Sequence, residues 1–147
     1  MGLFDSIKKF FGGEPEPAPA PVPPRTKPKP PPDPEPEPKV AEVSVQELMA
    51  ELKEGADPLL LDCRELYEYK MAHLANTVHI PMDEILQRMD EIIEKSDNKT
   101  RPVVVYCASG MRSYGVTHYL MQQGFNARNL AGGVVRWQLL GGKVEYN

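Results

Sequence analysis

The sequence predicts an α/β domain, a parallel sheet with helices on both faces, carried behind a proline-rich linker. Three observations lead there. Short apolar runs at 59–61, 78–80 and 103–106 alternate with segments of helical spacing, the pattern that builds parallel sheets. Thirteen of the 16 prolines lie between Pro15 and Pro38, so the globular part begins near Val40. The 108 residues from Val40 to Asn147 suffice for one compact domain that buries roughly two-thirds of its unfolded surface, with no room for a second core. The expected division is a short amphipathic helix at 1–13, a linker at 14–39 and a globular domain at 40–147.

In the first segment Leu3, Phe4, Ile7, Phe10 and Phe11 recur at helical spacing, with Asp5, Lys8 and Lys9 on the other side. Three helical turns are marginal alone in water. Residues 2–11 are therefore expected to lie on a membrane surface or in a partner's groove, the bland alternative being a frayed apolar terminus. Met-Gly-Leu-Phe-Asp-Ser also fits the loose myristoylation pattern at Gly2. From Glu14 to Lys39 proline alternates with alanine, valine, lysine and glutamate, which favours extended polyproline II. Such a spacer reaches up to ~80 Å at ~3.1 Å per residue. Its PxxP matches, Pro21 to Pro24 and Pro28 to Pro31, resemble SH3 ligands, as any proline tract does.

Beyond Val40 the elements follow in order. Val43 closes a short strand, and Ser44-Val45-Gln46-Glu47 is a capping box that opens a helix to about Lys53. Leu59-Leu60-Leu61 is a strand buried on both faces. Val78 to Ile80 makes another, and Pro81 starts a helix carrying Ile85, Leu86, Met89, Ile92 and Ile93. Val103 to Tyr106 is the clearest strand. A helix from Ser113 to Gln123 stops at Gly124, and a short segment at Ala127 to Leu130 precedes a last helix around Val134 to Leu140.

Composition excludes several classes. Net charge is −4 and the basic residues are scattered, so no cationic face exists for nucleic acid. Two cysteines, Cys63 and Cys107, are too few for a disulfide framework and fit a reducing compartment. No secretory signal or ~18-residue apolar span is present, so the expected location is cytoplasmic, with peripheral membrane contact only through the first helix.

Cys107 follows a strand directly, and Cys107-Ala108-Ser109-Gly110-Met111-Arg112 leads into the helix at Ser113. Ligands in parallel sheets bind beyond the carboxyl ends of the strands. Successive N–H groups of such a loop and of a helix start converge to favour an anion. A thiolate there is stabilised, Arg112 adds positive charge, and Gly110 permits the tight turn.

This loop resembles the C-x-x-G-x-R-S active-site loop of the rhodanese family. Leu61-Asp62-Cys63-Arg64-Glu65 looks like the family's L-D-V-R-E, Glu68 with His73 resembles its E-x-x-x-G-H-I segment, and Ile80-Pro81 and Gly132-Gly133-Val134-Val135-Arg136-Trp137 match two further stretches. The resemblance runs from about Val43 to Gly142 and implies a five-stranded parallel sheet. It also implies a sulfurtransferase. Cys107 takes the outer sulfur of thiosulfate or a persulfide donor, becomes a persulfide and passes the sulfur to a thiol or cyanide-like acceptor, with no metal or organic cofactor. The backbone of Ala108, Ser109, Gly110, Met111, Arg112 and Ser113 would cradle that persulfide, and Arg112 would attract the anionic donor.

Rival readings are specific. Cysteine phosphatases resemble C-x5-R, whereas four residues separate Cys107 from Arg112, a smaller cradle suited to sulfur. A catalytically silent binding module on the same fold is the other class, disfavoured by the intact loop. Asp62, Arg64 and Glu65 are expected to form a structural charge network at a strand end. His73 is expected to be a hydrogen-bonded structural histidine, Tyr106 and Trp137 packing residues, and Cys63 a packed hydrophobe, with a resolving thiol as its alternative. The family's G-H-I-x-G-A appears as Ala72-His73-Leu74-Ala75-Asn76-Thr77, two glycines short, so this turn is expected to be shaped differently.

Overall fold

The computed structural model describes residues 15–34 and 39–147, and the chain divides into a unit ending at Glu35 and a second one from Pro36 to Asn147. The predicted amphipathic helix lies outside the described residues. Residues 15–34 carry neither helix nor strand and are exposed throughout. Proline explains the first fact, because it lacks the N–H that either ladder requires.

In the second unit, β1 (Glu42–Val43) leads through Ser44 into α1 (Val45–Lys53). The capping box is present in both halves: the Glu47 amide donates to Ser44 Oγ at 3.1 Å, and the Ser44 amide donates to the Glu47 carboxylate at 3.2 Å. Then come β2 (Leu59–Asp62), α2 (Leu66–Met71), β3 (His73–Leu74) and β4 (Thr77–His79). A short 3-10 turn (Met82–Glu84) precedes α3 (Met89–Lys95), followed by β5 (Val103–Tyr106), α4 (Met111–Gln122), β6 (Ala127–Leu130), α5 (Gly133–Leu139) and β7 (Val144–Glu145).

Five strands form one parallel sheet in the order β1-β6-β5-β2-β4, with β5 at its centre, while β3 and β7 pair antiparallel as a separate ribbon. Both faces of the sheet are covered, which is why β2 and β5 read as continuous apolar runs. Alternate residues serve opposite cores. Leu59, Leu61, Val103 and Val105 pack with Val116, Leu120 and Ile92 on one face. Leu60, Val104 and Tyr106 pack with Leu48, Val134 and Trp137 on the other. Each such buried Leu or Val side chain stabilises the fold by roughly 1.5–3 kcal/mol relative to exposure.

Several boundaries differ from expectation. The single helix expected after Pro81 is broken: a 3-10 turn comes first, and α3 begins only at Met89. Ile85 and Ile92 still reach the same core, so their spacing reports a shared buried face and not an unbroken helix. The helix after Cys107 starts at Met111, two residues before Ser113, because Gly110 adopts φ 98° and turns the chain early. At 72–77, Asn76 takes a left-handed φ of 59° where the family pattern has its second glycine. Asparagine is the side chain that tolerates this region best.

Candidate active site

The central strand β5 ends at Tyr106, so Cys107 emerges at the carboxyl edge of the sheet, and α4 starts four residues later. The cysteine is almost fully enclosed, at 1% exposure. Its sulfur faces donors from the loop and the helix start: the Gly110 amide at 3.1 Å, the Ser113 amide at 3.4 Å and the Ser113 hydroxyl at 3.3 Å. Burial alone raises the thiol pKa. Hydrogen bonds from the Ser113 hydroxyl and from the amides of Ser113, Gly110 and Ser109 outweigh it, leaving Cys107 below its ordinary value. The helix dipole acts in the same direction.

Within the predicted cradle of Ala108 to Ser113, the residues therefore divide. Ser109, Gly110 and Ser113 supply the donors. Ala108 instead gives its carbonyl to the Val135 amide at 3.1 Å, and the Cys107 carbonyl takes the Val134 amide at 2.9 Å, so the start of α5 clamps the loop from below. Gly133 makes that approach possible, since a Cβ there would collide with both carbonyl oxygens. Met111 points into solvent at 81% exposure.

Arg112 does not face the sulfur as an open cation. Both terminal nitrogens of its guanidinium are held by the Glu68 carboxylate, at 2.9 and 2.7 Å. Those bonds hold the Glu68 carboxyl down at about 2 against the opposing effect of burial. Arg112 thus stands beside the loop as the partner of Glu68 in an ion pair. Glu68 was legible only as part of a resemblance, because its partner lies 44 residues away.

Asp62 and Arg64 form the expected network. Arg64 Nη2 meets Asp62 Oδ2 at 2.7 Å and the Ala72 carbonyl at 2.6 Å, with its Nε shared between both Asp62 oxygens and its amide on Oδ1. Both side chains are buried. Glu65 stands outside this network: it is exposed, and its amide donates to Glu68 at the start of α2. His73 stacks on Tyr69 at 3.9 Å and bonds the Tyr69 carbonyl through Nδ1. Tyr106 does more than fill space, since its hydroxyl takes the Leu74 amide and donates to Thr77, tying β5 to the β3–β4 turn.

Cys63 lies beside Cys107 on the neighbouring strand end, its thiol donating to the Tyr106 carbonyl at 3.5 Å. Burial, then the proximity of Cys107 and Asp62, push it up to about 12. It is a neutral thiol at any physiological pH.

Asn129, on β6, was not legible as a site residue. Its Oδ1 accepts from the Ser113 hydroxyl at 2.6 Å, and its Nδ2 donates to the Gly110 carbonyl at 3.0 Å. A hydroxyl has one hydrogen, so Asn129 and the sulfur compete for that of Ser113, while the backbone amides serve the sulfur in either case. Among the described residues no three His, Cys, Asp or Glu side chains converge as metal ligands, and no helix is long and apolar enough to cross a membrane.

Comparison with known proteins agrees with this fold. The profile of the rhodanese-like domain matches residues 44–140. A sulfurtransferase of Allochromatium vinosum is 39% identical over 99 residues, covering 67% of this chain and 88% of the relative. The thiosulfate sulfurtransferase GlpE of Coxiella burnetii is 36% identical over 89 residues, covering 60% and 78%. A crystal structure of a rhodanese-like domain protein from Staphylococcus aureus superposes with a TM-score of 0.64 at 29% identity, covering 74% of this chain and 99% of that one. The chain belongs to the rhodanese-like domain family, and its relatives include proteins named sulfurtransferases.

Proposed function

We infer that this protein is a sulfurtransferase that moves sulfane sulfur from thiosulfate or a persulfide to a thiophilic acceptor through a persulfide on Cys107. The single observation that carries the reading is the convergence of the Gly110 and Ser113 amides on Cys107 Sγ at the start of α4. In this mechanism the Cys107 thiolate attacks the outer sulfur of the donor, forming one S–S bond while the donor's bond to that sulfur breaks and its electron pair leaves with the donor. Negative charge then resides on the outer sulfur of the new persulfide, where the same amides and the helix start stabilise it. The acceptor attacks that outer sulfur, and the pair returns to Cys107.

No general base is required, because the cradle already favours the thiolate. Asp62 and Arg64 hold the end of β2 beside the loop and take no part in bond making. In the same reading residues 2–11 hold the domain, through the linker, at a membrane face or a partner, which vesicle flotation with and without residues 2–13 tests. The chemistry is tested by thiocyanate formation from thiosulfate and cyanide. The full chain is expected to turn over and Cys107→Ser to show none; equal rates in the two proteins would reject the assignment.

A further inference from the structure

Asn129 on β6 is buried beside the cysteine loop, at 1% exposure, and makes no contact with the sulfur itself. It touches instead both residues whose amides meet Cys107 Sγ. Its Nδ2 donates to the Gly110 carbonyl at 3.0 Å, with the Glu42 carboxylate of β1 at 3.4 Å on the same nitrogen. A carbonyl oxygen only accepts, so the nitrogen must face Gly110 and Oδ1 must face Ser113. The fully buried Ser113 hydroxyl then stands with one hydrogen between two acceptors, Asn129 Oδ1 at 2.6 Å and Cys107 Sγ at 3.3 Å.

The two protonation states of Cys107 place that hydrogen differently. As a thiol, Sγ donates its own hydrogen to Ser113 Oγ while the hydroxyl donates to Asn129, and every group is served. A thiolate only accepts, and it draws the hydroxyl, because hydrogen bonds to a charged acceptor are roughly twice as strong as neutral ones. That turn leaves the buried Oδ1 of Asn129 without its donor, a cost borne by the ionised state alone. Burial raises the Cys107 pKa, and the Ser113 hydroxyl is the largest of the influences that lower it, so a competitor for its hydrogen acts on the sulfur. The other titratable groups that act on Cys107 are Cys63 at the end of β2 and Arg112 of α4, which is paired with Glu68 of α2; Glu42 reaches only Asn129.

Resting on the sulfur-transfer reading above for its part in turnover, we propose that Asn129 is a positioning residue, holding the Ser113 hydroxyl away from Cys107 while Sγ is uncharged and yielding it when charge arrives there. The hydroxyl turns to Sγ in the thiolate. It returns to Asn129 once charge has moved to the outer sulfur of the persulfide, and turns again as the acceptor's attack restores the electron pair to Cys107. These turns exchange hydrogen bonds only and make or break no covalent bond.

Thiolate absorbance titration of the full chain, Asn129→Leu, Ser113→Ala and the double variant tests it. Leucine keeps a branched side chain and removes both polar ends, so the effect of Asn129→Leu is read with and without the Ser113 hydroxyl, and the lost bond to Gly110 cancels in the comparison. At a fixed pH below the midpoint, Asn129→Leu is expected to favour the thiolate about three- to tenfold more with the hydroxyl present than in Ser113→Ala, the scale of one buried hydrogen bond. Equal effects in the two backgrounds, or a difference of the opposite sign, overturn the proposal. Should Asn129→Leu not fold, the NMR shift of the Asn129 side-chain carbonyl carbon decides: it is expected to move through the Cys107 midpoint in the native chain and to lose most of that movement in Ser113→Ala, and equal movement overturns the proposal. None of these titrations needs a sulfur donor. Failure of Cys107 to gain sulfur from thiosulfate or a persulfide would overturn the sulfur-transfer reading and leave the hydroxyl switch standing.

Discussion

Arg112 and Glu68 meet end to end, two hydrogen bonds of 2.9 and 2.7 Å joining the start of α4 to α2. Glu68 is the more enclosed partner, at 17% exposure against 37% for Arg112. This pair sets the charge beside the cysteine loop. Glu68→Gln leaves one acceptor and the side-chain volume but releases the positive charge. Loading of Cys107 by thiosulfate is expected to speed up several-fold at low salt, with the gain shrinking once ionic strength brings the Debye length to ~8 Å. The stability cost should be no more than about 1 kcal/mol, because Arg112 is partly solvated. The folded-state pKa of Glu68 is lowered from 4.5 to about 2, so its contribution is complete above pH 4.5 and is lost as pH falls towards 2. Urea midpoints of the native chain and of Glu68→Gln should therefore converge across that window.

Cys107 and Ser113 give a pH prediction. The cradle lowers the Cys107 pKa, so its rate of loading or alkylation should rise with pH and level off below the ordinary thiol value of 9.0. Ser113→Ala removes the hydroxyl but keeps the backbone amide. The plateau should move to higher pH, and the rate at neutral pH should fall about three- to tenfold, as expected from one lost bond to a charged acceptor shared with Asn129. Thiolate absorbance titration checks the shift, and an unmoved profile would show that the backbone alone sets the pKa.

Gly133 bears on how the loop is held. Its φ is 58°, and a methyl group there would overlap the carbonyls of Cys107 and Ala108. Gly133→Ala is expected to destabilise the fold by about 2–4 kcal/mol in urea unfolding and to loosen the loop. Gly115 provides a control on α4: it has open space around its Cβ position, so Gly115→Ala should be neutral or stabilising by up to about 1 kcal/mol.

Cys63 offers the sharpest contrast of two thiols in one core. With its pKa pushed up to about 12, it should resist iodoacetamide at neutral pH while Cys107 reacts. Cys63→Val should leave sulfur loading intact and change stability by less than about 1.5 kcal/mol, as near-isosteric apolar swaps do. Peptide mapping after brief alkylation reads the selectivity, and a Cys63–Cys107 disulfide found by mass in the oxidised native chain would favour the resolving-thiol reading instead.

Much of the architecture was legible because local signals and tertiary needs coincide. Val103 to Tyr106 reads as a strand since both faces of β5 are covered, and Ser44 with Glu47 reads as a helix start since the box closes locally. The cysteine loop was legible for the same reason: strand, Gly110 and helix are contiguous. What could not be read is long-range. Arg112 meets Glu68 across 44 residues and Ser113 meets Asn129 across 16, and no periodicity announces either. The helix α2 escaped because it buries no residue fully, so Leu66 to Met71 show no apolar stripe. The β3–β7 ribbon pairs only two residues on each side, too few for alternation to register.

Whether Cys107 carries the transferred sulfur is read from intact mass. The full chain and Cys107→Ala are incubated with a persulfide donor, without reductant, and weighed before and after cyanide. A gain of ~32 Da on the native chain only, removed by cyanide, is the predicted result, since among the side chains of a protein it is the cysteine thiolate that takes up sulfane sulfur. An equal gain on Cys107→Ala, or none on either protein, would contradict it.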